Sequence, residues 1–60
     1  MKYYVVIIKA DSNSIFAFGT VESAKERFHS ELAYAYNQHI STTCVIIDSL
    51  GNKIISEIAE

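Results

Sequence analysis

The chain has no proline and no tryptophan, two glycines and one cysteine in 60 residues. Each shortage excludes something. A single thiol, Cys44, rules out an internal disulfide, and together with His29 and His39 it matches no zinc spacing such as CxxC or HxxxH. No cofactor and no metal is therefore expected. Without proline or a low-complexity stretch there is no linker, and residues 1–60 read as a single domain. No run of five like charges makes an acidic or basic tail. No apolar run approaches the ~20 residues of a membrane span. The opening run Tyr3–Ile8 stops at Lys9, and no small-residue cleavage site follows, so it reads as a buried strand and not as a signal peptide. A lone reduced thiol without an export signal points to the cytoplasm. The initial Met and the compact end read as a complete small open reading frame.

Seven acids against five bases give a formal charge of −2. That is too mild for a DNA mimic and has the wrong sign for general phosphate binding. Half of the residues are apolar, in a chain so short that folding hides only about 60% of its unfolded surface. Domains of this size commonly need a staple. With disulfide and metal gone, oligomerisation is the one left.

The residues present predict a strand–strand–helix–strand–strand order. Residues 2–10, rich in Val, Ile and Tyr, read as the first strand. Asp11-Ser12-Asn13-Ser14 is a turn cluster, and Ile15 to Gly19 is the second strand. Thr20 is a good helix N-cap with Glu22 in the first turn. Ser23-Ala24-Lys25-Glu26 is a rival capping box. The helix then runs to Asn37 or Gln38 and ends at His39. Its apolar stripe is Val21, Ala24, Phe28, Leu32, Ala35 and Tyr36. Thr42 to Asp48 and Lys53 to Ala59 are the last two strands, with Gly51 as the φ > 0 residue of the turn between them. The most apolar strands, one and three, belong in the middle. The expected fold is α+β, ββαββ: a four-stranded antiparallel sheet of order 2-1-3-4 with one helix on one face.

Centring the first turn on Ser12-Asn13 pairs Ala10 with Ile15, Ile8 with Ala17 and Ile7 with Phe18. Centring the second on Leu50-Gly51 pairs Ile47 with Ile54, and Asp48 with Lys53 as a charge contact. One face of the sheet then holds Tyr4, Val6, Ile8, Ala10, Ile15, Ala17, Gly19, Thr43, Val45, Ile47, Ile54 and Ile58. The small residues of strand two on that face admit a helix, so it is expected to be the core. The other face holds Tyr3, Val5, Ile7, Phe16, Phe18, Cys44, Ile46 and Ile55, with Lys9, Asp48, Lys53 and Glu57 at its ends. It is apolar as well, unlike the alternating pattern of a half-exposed antiparallel sheet. One helix cannot cover both faces. The eight apolar residues are therefore the expected interface of a homodimer that stacks sheet on sheet. A one-residue slip in register would exchange the faces.

Catalytic readings are weak beside this one. Cys44 lies mid-strand in an apolar run and reads as a buried, inert thiol. His29 flanks the helix stripe, and His39 sits in the helix-ending loop where a cation suits the dipole. Glu22, Glu26 and Glu31 read as a solvated helix face. No Gly-rich phosphate loop, Ser-His-Asp set or nucleotide fingerprint occurs. The aromatics Tyr3, Phe16 and Phe18 near Lys9 and Lys53 offer an alternative, stacking of single-stranded bases, which the net charge opposes. Tyr34 on the exposed helix side is a lesser candidate for a protein contact.

The opening Met1-Lys2-Tyr3-Tyr4-Val5-Val6-Ile7-Ile8-Lys9-Ala10, together with Phe28-His29-Ser30-Glu31-Leu32-Ala33-Tyr34, resembles short uncharacterised proteins carried by phages and conjugative elements of Gram-positive gut bacteria. That resemblance covers most of the chain. It implies a mobile-element accessory protein, a setting of small inhibitors and adaptors, and it transfers no functional residue. The sequence thus predicts a non-enzymatic protein-interaction module that is homodimeric and also able to bind another protein.

Overall fold

The computed structural model describes residues 2–59. Four strands, β1 (Tyr3–Lys9), β2 (Asn13–Phe18), β3 (Thr42–Asp48) and β4 (Lys53–Ala59), and one helix, α1 (Val21–Gln38), follow in the order ββαββ. The sheet runs β2-β1-β3-β4 with every neighbouring pair antiparallel. This is the expected α+β architecture.

Thr20 wins the competition for the helix start. It is extended (φ −133°, ψ 154°), and its hydroxyl oxygen accepts from the Ser23 backbone N–H at 3.2 Å. The helix ends without glycine. His39 takes the left-handed conformation at φ 56°. This lets the Ile40 N–H donate to the Ala35 carbonyl at 3.0 Å and the His39 N–H to the Tyr36 carbonyl at 3.3 Å. Those two bonds make a Schellman end, with half-buried Ile40 folding back on the last turn.

Both hairpins differ in detail from expectation. The first turns at Ala10-Asp11, where the Lys9 N–H donates to the Ser12 carbonyl at 2.8 Å. Val6 therefore faces Ile15, and Ile7 faces Ser14 in place of Phe18. The turn moves by two residues, so each side chain keeps its face of the sheet. In the second hairpin Asp48 pairs with Asn52, its N–H donating to the Asn52 carbonyl at 3.0 Å, around a three-residue loop in which Gly51 has φ +86°. The register shifts between Ile46↔Ile55 and Ile47↔Lys53, leaving Ile54 without a partner. The expected Asp48–Lys53 and Ile47–Ile54 pairs are not formed, because the Asp48 carboxylate is turned onto the loop's own N–H groups.

The larger correction concerns which face the helix covers. Val5, Ile7, Cys44, Ile46 and Ala59 are buried against Ala24, Phe28, Leu32 and Ala35, and Tyr3, Phe16, Phe18 and Ile55 pack around them. All eight residues expected to form an open interface thus belong to the core side. Handedness explains the choice. β2 and β3 are parallel to each other, on either side of β1, so β2–α1–β3 is a crossover and should be right-handed. The Lys9–Ser12 bond makes the odd-numbered residues of β1 the ones hydrogen-bonded to β2. For L-residues a right-handed crossover then passes over the face carrying those odd-numbered side chains. Close approach comes from small residues on the helix, Ala24 and Ala35, and not from small residues on β2.

The helix caps supply a test. Thr20→Ala should cost ~1 kcal/mol by losing the N-cap. His39→Gly should gain up to ~1 kcal/mol by relieving the left-handed strain. Urea unfolding midpoints should move in opposite directions for the two variants.

Candidate functional site: the open face of the sheet

With the helix on the odd-numbered side of β1, the uncovered face carries Tyr4, Val6 and Ile8. Asn13, Ile15 and Ala17 lie beside them on β2, and Thr43, Val45 and Ile47 on β3. Ser56 and Ile58 continue the rows onto β4. Ile15 is 66% exposed, Ile58 60%, Ile8 48% and Ile54 40%, while Tyr4, Val6, Val45 and Ile47 between them are half-buried by their neighbours. The rows Ile15–Val6–Val45–Ser56 and Asn13–Ile8–Thr43–Ile58 contain no acid and no base, while the Tyr4–Ile47 row ends on Lys53, which the register shift pairs with Ile47. The described acids sit elsewhere, in the two turns, on the helix and on the helix side of β4. Four exposed isoleucines on one uncovered face are unusual on a lone domain.

The residues singled out from sequence are brought together, but as core. Tyr3, Phe16 and Phe18 lie at the margin of the helix, and Arg27 places its guanidinium carbon 4.0 Å from the centre of the Phe16 ring. Stacking of bases on these three aromatics is closed off by the helix above them. Arg27 Nε also lies 2.9 Å from Glu31 Oε2. This is a charge contact and not an aligned hydrogen bond, since the Nε–H has no acceptor in good geometry. Glu31 is thereby drawn in from the solvated face expected for it, whereas Glu22 and Glu26 are exposed. Tyr36, expected on the apolar stripe, is exposed, as is Tyr34, over whose ring Lys9 Nζ sits at 5.8 Å.

Cys44 is fully buried. Desolvation, and then the nearby Glu31 carboxylate, push its thiol above the usual range, the opposite of what a nucleophile needs. His29 is exposed and meets the edge of the Phe28 ring at 5.4 Å. Among the described residues no three His, Cys, Asp or Glu side chains gather closely enough to hold a metal ion, and no pocket is enclosed. No described helix is long and apolar enough to cross a membrane. The candidate site is therefore a surface. No protein-family model, curated protein or solved structure matches the chain.

At the end of the sheet, Asp48 is the group whose charge the fold uses. Its Oδ1 accepts from the Leu50 and Asn52 backbone N–H groups, each at 2.9 Å, and its Oδ2 from the Asn52 amide at 3.3 Å. These bonds, the Asn52 N–H first, hold its pKa below the ordinary carboxylate value. A depressed folded-state pKa means the contribution is full above the unfolded-state value and disappears as pH falls through the folded one. Asp48→Ala should therefore lower the urea midpoint at neutral pH. The gap to wild type should narrow on acidification and close below the folded-state pKa. A gap independent of pH would show that the carboxylate charge plays no part.

Proposed function

We propose that the chain is a small non-enzymatic interaction module whose open sheet face stacks on the same face of a second copy. The observation that carries this is the exposed apolar surface running from Ile15 through Val6 and Val45 to Ile58, with the Lys53 charge at its margin beside Ile47. Two such faces pack about 10 Å apart with their strands nearly aligned. Ile8, Ile15, Ile54 and Ile58 together expose the equivalent of about two whole isoleucine side chains per copy. Burying these in both copies contributes ~6–13 kcal/mol at ~1.5–3 kcal/mol per side chain. The cost of association is ~4–15 kcal/mol, and Tyr4, Val6, Val45 and Ile47 add further area. A second copy fits better than a charged partner. The middle of the face sets no like charges together, and Lys53 at its margin is not a row of cations to meet a phosphate backbone.

An accessory or inhibitor role in a mobile element, acting in the cytoplasm, agrees with this reading. It needs a second surface that stays free in the dimer, and the helix offers one in exposed Tyr34 and Tyr36.

Sedimentation should give at least twice the monomer mass. Val45→Lys and Ile58→Lys, at positions the core does not use, should each lose the face contact and sediment as a smaller species than wild type, with an unchanged circular dichroism spectrum. Phe18→Glu should unfold the chain instead. A wild-type chain that remains monomeric at high micromolar concentration would overturn the proposal.

A further inference from the structure

The sheet has two edges, and they are treated differently. β4 is guarded by devices that natural sheets use against edge-to-edge pairing, namely charged Lys53 and Glu57 and the irregularity at Ile54. β2, Asn13-Ser14-Ile15-Phe16-Ala17-Phe18, has no charge, no proline and an unbroken register with β1. The phase of its hydrogen bonds follows from the Lys9–Ser12 bond. Ser14, Phe16 and Phe18 bond to β1, while Asn13, Ile15 and Ala17 direct their N–H and C=O groups outward. All three are exposed. Among the described residues no loop or side chain bonds to those outward groups.

We infer that the β2 edge is a strand-pairing site and that its occupant is β2 of a second copy, running antiparallel about a two-fold axis at Ile15. The register is self-complementary. Ile15 faces Ile15, and Asn13 of each copy faces Ala17 of the other, so every outward N–H and C=O meets a partner in hydrogen-bonded phase. An isologous contact of this kind closes on itself. An uncharged strand sets no like charges opposite each other. The helix leaves the edge clear: its fully buried partners are on β1, β3 and the end of β4, and β2 offers it only half-buried Phe16 and Phe18. The product is an eight-stranded sheet. This pairing does not depend on face stacking and leaves the open face available for it.

Disulfide trapping separates the two contacts. In the paired edge the Ile15 Cα atoms are about 5.5 Å apart, inside the range of about 4.4–6.8 Å that a disulfide spans. In face stacking the sheets are about 10 Å apart, too far. Ile15→Cys, in the chain that keeps buried Cys44, should cross-link to a covalent dimer under mild oxidation, and wild type should not. Asn13→Cys and Ala17→Cys should each cross-link poorly alone but efficiently when mixed. Ala17→Pro, which removes an outward N–H and no bond to β1, should abolish trapping in the Ile15→Cys chain while its circular dichroism stays native. Ile58→Lys, which breaks face stacking, should leave trapping intact. A folded Ile15→Cys chain that stays monomeric on oxidation would overturn the inference. So would equal trapping by Asn13→Cys alone, which signals random collision, or persistence of trapping in the Ala17→Pro background.

Discussion

The handedness of the β2–α1–β3 crossover decides the rest of this structure. The sheet has two apolar faces and the chain has one helix, so only one face can be covered. Side-chain chemistry hardly separates the faces, since both carry aliphatic residues in the middle. Chirality separates them. Given strands of this order and direction, a right-handed connection passes over Val5, Ile7, Cys44 and Ile46. The helix side then gathers both phenylalanines of β2 and the sole thiol. Tyr4, Val6, Ile8, Ile15, Val45 and Ile58 remain outside, without a charge among them.

Much of this was legible in the residues. The element order, the sheet order, the Thr20 cap, the φ > 0 role of Gly51 and the Ala24–Phe28–Leu32–Ala35 stripe all follow from periodicity and turn chemistry. The face was legible as well, but through a rule other than composition. A first turn centred on Ser12-Asn13 is two residues late, yet it leaves the same odd-numbered residues of β1 bonded to β2. Combined with right-handedness, even that misplaced register puts the helix on the Val5 side. The small residues on β2 point the other way, but the room the helix needs does not lie over that strand. The helix supplies its own room through Ala24 and Ala35, over β1 and β3.

Other features were hidden because they depend on competition between local bonds. Asp48 had two suitors, the Lys53 ammonium across the hairpin and the N–H groups of its own loop. Several fixed backbone donors outmatch one flexible, solvated cation, and the register shift at Ile54 follows from the loop that results. The left-handed His39 carries no glycine signal. It is imposed by the need to satisfy the carbonyls of Ala35 and Tyr36 where the chain turns toward β3. Arg27 drawing Glu31 down over Phe16 likewise depends on a long-range neighbour that no helical period reveals.

The uncovered face and the unguarded edge are two outcomes of one shortage. Sixty residues can close neither a second layer over the sheet nor a barrel that removes its edges. The protection the chain does possess is concentrated at β4, where Lys53, Glu57 and the break at Ile54 disrupt a would-be template strand. If exposure of the sheet were merely tolerated, β2 would need the same devices, because its outward groups are as open to pairing as those of β4. Their absence on one edge, beside a face whose middle rows carry no charge, is what the proposed assembly rests on.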